Sequence, residues 1–461
     1  MKQRNIPVST TYMILAITAI SITTCILLQL PLYYGMFFSV AVTSYVSWRA
    51  GFSYGELFQM MWNGIRECYS IFVIIMLMGS LISLWMSSGM VPTMIYYGFG
   101  YLKQVNYVLA SFLISALVSF IMGTALGTVS TVGMALLGIG KGLMIPPPLL
   151  LGSIISGAFV ADKLSPMAGL VNLTLNTTKT NYKDYAKSNL ITFIPTLLLT
   201  ISIYYFLGSS YTAQINADIL AMYQKNIQTH FYVTPYFLIF PATLIIMAML
   251  GIKIIPNMSF GVLGGVFFSY IFQKLTFLEI GKIVLWGYRA VTEMSELNQV
   301  LKGGGILPMV EVILIVAGAV ALNSLFEGTE MVMPIFHRIV GNIKTIRQLV
   351  FKAGMLSIGL TTITCDQTVG ILLPGRFLQN KYEEMGLDRV ALARTISDTG
   401  TIIAPLIPWN VNAIIAGVIT GISAIEYGPY AVLCYIAPII TFMVACLPPA
   451  VGKWKHKASI S

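Results

Sequence analysis

Charged residues are so sparse that long stretches of the chain carry none at all. No Asp, Glu, Lys or Arg lies between Arg4 and Arg49 or between Glu426 and Lys453. A membrane-spanning helix needs about 20 apolar residues, so each stretch has room for one or two spans. Backbone groups in lipid must be hydrogen-bonded internally, and the chain lacks the strict alternation of barrel strands. The pattern therefore predicts an all-α polytopic membrane protein.

The apolar segments predict about 10–12 transmembrane helices. Residues 52–67 and 377–394 instead mix polar and apolar positions at helical spacing, which is typical of helices that lie at the membrane interface. The predicted spans are residues 12–30, 31–48, 70–89, 106–122, 147–161, 191–208, 233–251, 257–273, 306–325, 349–365, 402–421 and 428–449.

Composition supports a membrane protein, because 57% of the 461 residues are hydrophobic and only 10% are charged. The formal charge of +10 is better explained by cytoplasmic loops rich in Lys and Arg than by binding to nucleic acid. Lys2 and Arg4 precede the first span, and Lys453, Lys455 and Lys457 follow the last. We expect a multi-pass protein of the bacterial cytoplasmic membrane with both termini in the cytoplasm.

Residues typical of enzymes are scattered. The five cysteines form no CxxC pair, the three histidines are isolated, and no Walker loop or zinc spacing occurs. We therefore expect no enzyme activity and no cofactor, with Na⁺ or H⁺ or both as transported or coupling ions. The expected partners are the lipid bilayer and a small cation or small organic substrate, without nucleic acid. A homodimer is the candidate assembly.

Two clusters of Thr, Ser and Gly interrupt apolar segments, at residues 123–133 and 361–370. Each is followed by a second polar break, at residues 156–166 and 398–410, and Ser156-Gly157 aligns with Thr399-Gly400. Interrupted helices in corresponding positions of two halves indicate a carrier with inverted repeats and a binding site at the membrane midplane. The alternative is that Gly and Thr only permit close helix packing.

These breaks divide the chain into five parts. We predict N-terminal spans with an interfacial helix (1–68), a first repeat with broken helices (69–208), connecting spans and a linker (209–305), a second repeat with broken helices (306–452) and a cytoplasmic tail (453–461). The candidate ion- or substrate-binding residues at the breaks are Thr124, Thr128, Asp162, Ser165, Asn172, Thr364, Asp366, Gln367, Asp398, Thr399 and Asn410.

Four carboxylates lie in apolar surroundings, where an ionisable group is usually paired or functional. Glu311 is the candidate coupling carboxylate, unless it reaches water near a helix end. Asp366 follows the Thr cluster and is expected to be functional. Asp398 is equally well explained as a helix N-cap or as an ion ligand, and Asp162 as a local partner of Lys163 or as a functional group. Sodium prefers hard oxygen ligands, and its candidate set is Asp366, Asp398, Thr399 and Asn410.

Several of these motifs, in this order, resemble the NhaC family of sodium/proton antiporters in the ion-transporter superfamily. They include residues 152–166 (GSIISGAFVADKLSP), 373–376 (LPGR), 398–400 (DTG) and 405–410 (PLIPWN). The resemblance covers residues 70–450 or so. It implies a carrier that exchanges sodium for protons, and some relatives exchange organic acids such as malate and lactate.

One segment departs from the family pattern. Relatives usually carry Ser-Asp-Thr-Thr-Asn after the Ser-Pro, whereas residues 168–172 here read AGLVN. The loss of an acid and two hydroxyls favours proton-only coupling or an organic substrate that packs against Leu170 and Val171. A carrier or exchanger of a small organic acid or amino acid is therefore the alternative function.

Overall fold

The computed structural model describes residues 7–446 except 29, 102–105, 213–216, 251, 253, 295–296, 299–300, 332–333 and 335–342. Almost all of the described chain is helical. The first half comprises α1 Val8–Leu27, α2 Leu32–Arg49, α3 Tyr54–Glu67, α4 Tyr69–Ser87, α5 Met90–Tyr101, α6 Tyr107–Met122, α7 Ala125–Thr128, a π-helix Val129–Gly133, α8 Met134–Gly142, α9 Pro147–Ala158, α10 Val160–Leu164, α11 Gly169–Thr178 and α12 Tyr182–Thr212.

The remainder begins with α13 and contains the only strands among the described residues. These pair antiparallel as a short hairpin, Tyr288 opposite Gly303. The elements are α13 Ala217–His230, a 3-10 turn Pro235–Leu238, α14 Ile239–Met249, α15 Ile254–Ile271, α16 Phe277–Trp286, β1 Tyr288–Arg289, β2 Lys302–Gly303, α17 Ile306–Gly328, α18 Ile346–Thr364, α19 Gln367–Phe377, α20 Gln379–Glu384, α21 Arg389–Ile396, a π-helix Ser397–Thr401, a 3-10 turn Ala404–Leu406, α22 Val411–Thr420, α23 Ala424–Tyr427, a 3-10 turn Gly428–Tyr430 and α24 Val432–Cys446.

Within the described residues, 5 helices are long and apolar enough to cross a membrane, or up to 7 if each bent pair is one span. Further apolar helices of 10–17 residues accompany them. The all-α polytopic fold is thereby confirmed. The count of 10–12 spans, the five-part division and the inverted relation between the halves stay predictions.

The two Thr/Gly clusters interrupt helices with the same backbone geometry. Helix α6 ends at Gly123 in the left-handed region (φ 69°), and α18 ends at Cys365 in the same region (φ 60°). The next residue is extended in both cases and caps a new helix. Thr124 Oγ1 accepts from Gly127 N at 3.2 Å, and Asp366 Oδ1 accepts from Thr368 N at 2.7 Å. The predicted interruption of these two helices is confirmed.

The second breaks also match. Ser165 and Ala168 are extended between α10 and α11, as Ile407 and Asn410 are before α22. Because Gly123 precedes Ser165 by as many residues as Cys365 precedes Ile407, the breaks are equally spaced in the two halves. This spacing pairs Thr124 with Asp366 and Ala168 with Asn410. It differs by one residue from the alignment of Ser156 with Thr399.

Within each half the two breaks lie against each other. In the second half, Val411 N donates to Cys365 O at 2.9 Å. In the first half, a methyl group on Gly123 would lie only 2.7 Å from Met167 Cβ, so the close approach requires glycine. Polar backbone freed at one break is thus packed against the other break.

One sequence prediction, an interfacial helix at residues 377–394, is wrong, and another, the cytoplasmic termini, lies outside the described residues. Residues 377–394 do not form one interfacial helix, because they divide among α19, α20 and α21, and residues 391–394 are buried. The lysines and arginine behind the predicted cytoplasmic termini lie at residues 1–6 and 447–461, outside the described residues, so that orientation stays a prediction.

Candidate functional site

Two oppositely charged side chains, Lys163 and Asp398, form an ion pair in the interior. Lys163 belongs to α10 of the first half, and Asp398 to the π-helix Ser397–Thr401 of the second. Neither side chain has any exposed surface. Either partner alone would be an uncompensated charge at low dielectric, so the pair is costly to break. The contact therefore couples the two halves electrostatically.

One hydroxyl group contacts the carboxylate of the pair, and another ties together the two segments that carry the pair. Thr441 of α24 donates to Asp398 Oδ2 at 2.6 Å. The buried Tyr185 hydroxyl lies 2.7 Å from Lys163 O and 2.9 Å from Ser397 Oγ, so it bridges α10 and the π-helix. The carboxylate and the ammonium thus approach each other from segments that are themselves tied together.

The helix that carries Asp398 is widened at that residue. Residues 397–401 form a π-helix. This form is rare in proteins generally, and where it occurs it is often at a functional site. Thr399 is fully buried there, and its Oγ1 donates to Thr395 O at 2.6 Å. The first half has its own π-helix at Val129–Gly133, just after its first break.

Two further charges are buried near this pair. Arg394 precedes Asp398 by one helical turn, is fully buried, and donates to Ser188 O at 3.3 Å. Asp162 precedes Lys163 and is only 8% exposed. Two acids and two bases make the set formally neutral, which reduces the cost of burying it.

The breaks of the second half share a polar network. Gln367 donates to Thr401 O at 2.6 Å and accepts from Asn412 Nδ2 at 2.8 Å. Asn412 also donates to Asn410 Oδ1 at 3.2 Å. The network connects the first break, through Gln367, to the π-helix that carries Asp398.

Thr364 and Asp366 lie at the edge of this network. The Thr364 hydroxyl donates to Leu360 O at 2.8 Å and to Asp366 O at 3.1 Å, and Asp366 is half-buried. The structure thus brings together the predicted residues Thr364, Asp366, Gln367 and Asn410. Asp398 and Thr399 lie in the π-helix that Gln367 contacts through Thr401.

The predicted residues of the first half bond mainly within their own segment. Thr128 Oγ1 donates to Thr124 O at 2.9 Å, and Ser165 Oγ accepts from Met167 N at 3.3 Å. Asn172 is exposed and donates to Ala168 O at 2.9 Å. Their geometry is that of backbone caps and turns.

Glu311 lies apart from the other candidates. It is exposed in the second turn of α17 and lines a cavity of about 440 Å³ together with Arg289 and Lys302 of the hairpin. The structure does not bring it into contact with the Lys163–Asp398 pair, and its coupling role stays a prediction.

Comparison of the sequence with protein-family models identifies the family. The model of the Na⁺/H⁺ antiporter family matches residues 157–447, which is more than half of the chain. The chain belongs to the Na⁺/H⁺ antiporter family. The matched range contains Asp162, Lys163 and residues 306–447 of the second half, but not the first break at Gly123 and Thr124.

Relatives match this antiporter-family chain over nearly its whole length. The Na⁺/H⁺ antiporter NhaC of Bacillus subtilis is 28% identical over 420 residues, 91% of this chain and 93% of the relative. The malate-2H⁺/Na⁺-lactate antiporter of the same organism is 28% identical over 414 residues (89% and 88%). The arginine/ornithine antiporter ArcD of Halobacterium salinarum is 27% identical over 435 residues (90% and 86%). The predicted NhaC resemblance, and with it a sodium/proton antiporter-like membrane carrier, is confirmed.

Two interpretations of the acidic residues change for this antiporter-family chain. Asp398 is not an N-cap, because it lies inside the continuous helix of α21 and the π-helix, whereas Asp366 is one. Asp162 is not the ion-pair partner of Lys163, which pairs with Asp398 instead.

Sequence reasoning missed Lys163, Arg394 and Asn412 as site residues. A signal for Lys163 was available, because neighbouring side chains on a helix do not face each other and Lys163 therefore needed a partner other than Asp162. Val171, expected to contact a substrate, is fully buried against Tyr185 and Ala393.

Proposed function

We propose that this chain is a secondary carrier, not an enzyme, that exchanges sodium for protons across the bacterial cytoplasmic membrane. Family membership and relatives named Na⁺/H⁺ antiporter support sodium and protons as the two exchanged ions. The observation that carries the proposal is the fully buried contact of Lys163 with Asp398 between the two halves.

The pair suggests how exchange is enforced. With Lys163 withdrawn, the Asp398 carboxylate must be neutralised by another cation, because an unpaired buried charge costs about 3–5 kcal/mol. A sodium ion or a proton can fulfil this requirement, but both cannot do so at once. Mutually exclusive occupancy of one carboxylate yields exchange instead of co-transport.

Hard oxygen atoms for sodium come from the second half in this proposal. Asp366, Asp398, Thr399 and Asn410 form the candidate set, and Thr441 adds a hydroxyl that contacts Asp398. The described residues contain no group of three or more His, Cys, Asp or Glu suited to a tightly held metal. The candidate sodium site, in which neutral oxygen atoms accompany the carboxylates, suits an ion that binds only in transit. No cofactor is proposed.

The proposal includes an arrangement. Two repeats, 69–208 and 306–452, are placed with opposite orientation so that their broken helices meet at the midplane, and both termini are cytoplasmic. The equal spacing of the breaks in the two halves supports the repeats. A homodimer is the proposed assembly.

The function is tested with purified protein in proteoliposomes. An inward sodium gradient should drive proton efflux that a pH-sensitive dye inside the vesicles records, and potassium should not replace sodium. Sodium gradients that move no protons in wild-type vesicles would refute sodium/proton exchange.

A second candidate function is exchange of a small organic acid or amino acid. It is favoured by Gly169, which begins α11 where relatives carry an acid, and beside which a Cβ would meet no atom within 4 Å. An organic carboxylate could occupy this neutral helix N-terminus. Adding malate, lactate and amino acids to the same vesicles distinguishes the two functions, because only an organic exchanger shows accelerated uptake of a labelled organic substrate.

A further inference from the structure

Asn189 supplies a second acceptor for the ammonium group of Lys163. It lies on α12, has no exposed surface, and its Oδ1 accepts from Lys163 Nζ at 3.4 Å. An ammonium group has three N–H donors, and among the described residues Asp398 and Asn189 are the two side chains that accept from this one. The ammonium of Lys163 therefore lies between an ionised partner in the second half and a neutral partner in the first.

The amide of Asn189 is oriented by a further hydrogen bond. Its Nδ2 donates to Tyr185 O, one turn earlier on the same helix, at 3.2 Å. A carbonyl oxygen can only accept and an ammonium group can only donate, so the amide nitrogen faces Tyr185 O and the amide oxygen faces Lys163. The acceptor is therefore fixed in its orientation independently of where the ammonium lies.

The contact between Lys163 and Asn189 is long for a hydrogen bond. Bonds from nitrogen to oxygen usually measure about 2.7–3.2 Å, whereas this one measures 3.4 Å. The ion pair with Asp398 is the closer contact, so the ammonium is held mainly by the carboxylate. A shift towards α12 of about 0.5 Å would give Asn189 a hydrogen bond of ordinary length.

An ammonium group that leaves its carboxylate needs another acceptor in the interior, because an unpaired buried charge is costly. Hydrogen bonds to charged groups are stronger than those between neutral groups, so an amide oxygen offsets part of this cost. Helix α12 also serves the second buried base, since Arg394 donates at 3.3 Å to the carbonyl oxygen of Ser188, the residue before Asn189. One turn of α12 thus offers neutral oxygen atoms to both bases.

We propose that Asn189 is a positioning residue for sodium/proton exchange, which receives Lys163 when sodium or a proton takes its place on Asp398. This inference rests on the proposed function, in which Lys163 and the transported cation compete for one carboxylate. Asn189 acts through Lys163 and not through the ion. It lowers the free energy of the state in which Lys163 has left Asp398, and sodium therefore binds at a lower concentration.

Sodium titrations of the purified protein test this role. The unfolding temperature in detergent is measured against sodium concentration, because an ion that binds the folded state raises it, and sodium-driven proton flux is measured in proteoliposomes. Asn189→Leu removes the acceptor at similar volume. It should raise the half-saturating sodium concentration about tenfold in both measurements, since a hydrogen bond to a charged group is worth at least that factor. Maximal flux should stay within about twofold of wild type.

Two further variants separate this role from packing. Asn189→Ser keeps a polar group, but its side chain is one bond shorter and cannot reach the ammonium, so it should weaken sodium binding as Asn189→Leu does. Thr196→Val is the matched control, because Thr196 is also fully buried on α12 and its hydroxyl donates within the helix, to Thr192 O at 2.7 Å. Its half-saturating sodium concentration should equal that of wild type, whatever its unfolding temperature.

The proposal is wrong if folded Asn189→Leu and Asn189→Ser bind sodium at the wild-type concentration. It is also wrong if Thr196→Val raises that concentration as much as they do, because the effect is then one of packing. Wild-type vesicles that move no protons in response to sodium would give a different result, since they would refute the proposed function on which this role depends.

Discussion

The two halves of the molecule have nearly the same pair of helix breaks but very different chemistry at them. In the first half, Thr124 caps α7, and the second break carries the neutral residues Ala168 and Gly169. In the second half, the corresponding positions carry Asp366 and Asn410, joined to the network of Gln367. The backbone geometry of the breaks recurs in the two halves, whereas the polar groups are concentrated in the second half.

The difference separates what a break requires from what ion binding requires. The first break of each half needs a left-handed residue followed by an extended residue that caps the next helix, and both halves supply these. Ion binding needs charge and spare oxygen atoms. The first half contributes its charge elsewhere, through Lys163, which faces Asp398 of the second half. In the proposed function, the two halves therefore have complementary roles at one site.

The largest expected effect follows from removing one partner of that ion pair. Lys163→Met or Asp398→Leu should each destabilise the protein by about 3–5 kcal/mol, because the remaining charge is buried and uncompensated. The double variant should recover most of the stability but not the transport. Thermal unfolding in detergent measures this, with Lys381→Gln in the exposed pair with Glu384 as the control, expected to cost at most about 1 kcal/mol. A double variant as unstable as the single variants would show that the two charges do not compensate each other.

The next effect compares the caps of the two first breaks. Asn caps helices about as well as Asp, so Asp366→Asn should preserve stability while lowering sodium-driven proton flux about tenfold or more. Thr124→Ala should do the reverse, costing about 1 kcal/mol with flux per molecule within about twofold of wild type. Unfolding temperature and flux are measured on the same preparations. Equal losses of flux in both variants would contradict the division of roles and show that both halves bind the ion.

The smallest effect comes from making the first half more like its relatives. Gly169→Asp adds an acid at the start of α11, where a side chain has open space and an acid suits the helix N-terminus. We expect sodium to activate flux at a several-fold lower concentration and the uptake of any organic acid to fall. An unchanged sodium dependence would mean that this segment lies outside the ion path.

The sequence was sufficient for local features and insufficient for long-range ones. Uncharged stretches predicted the membrane helices, and the clusters of Thr, Ser and Gly at residues 123–133 and 361–370 marked the breaks, because helix ends depend on neighbouring residues. The partner of Lys163 could not be found in this way, since Asp398 is distant along the chain and Asp162 is adjacent. Arg394 was assigned to an interfacial helix because polar and apolar residues are mixed at helical spacing around it, yet tertiary packing buries it completely.

The most direct test of the account is sodium-driven proton flux by Asp398→Asn in proteoliposomes, per mole of folded protein. Asn keeps the size of the side chain and the hydrogen bond from Thr441 but cannot neutralise Lys163 or sodium. The account predicts that flux falls to the level of protein-free vesicles while the variant remains in the membrane. Flux at the wild-type rate would contradict the assignment of Asp398 as the carboxylate for which the two cations compete.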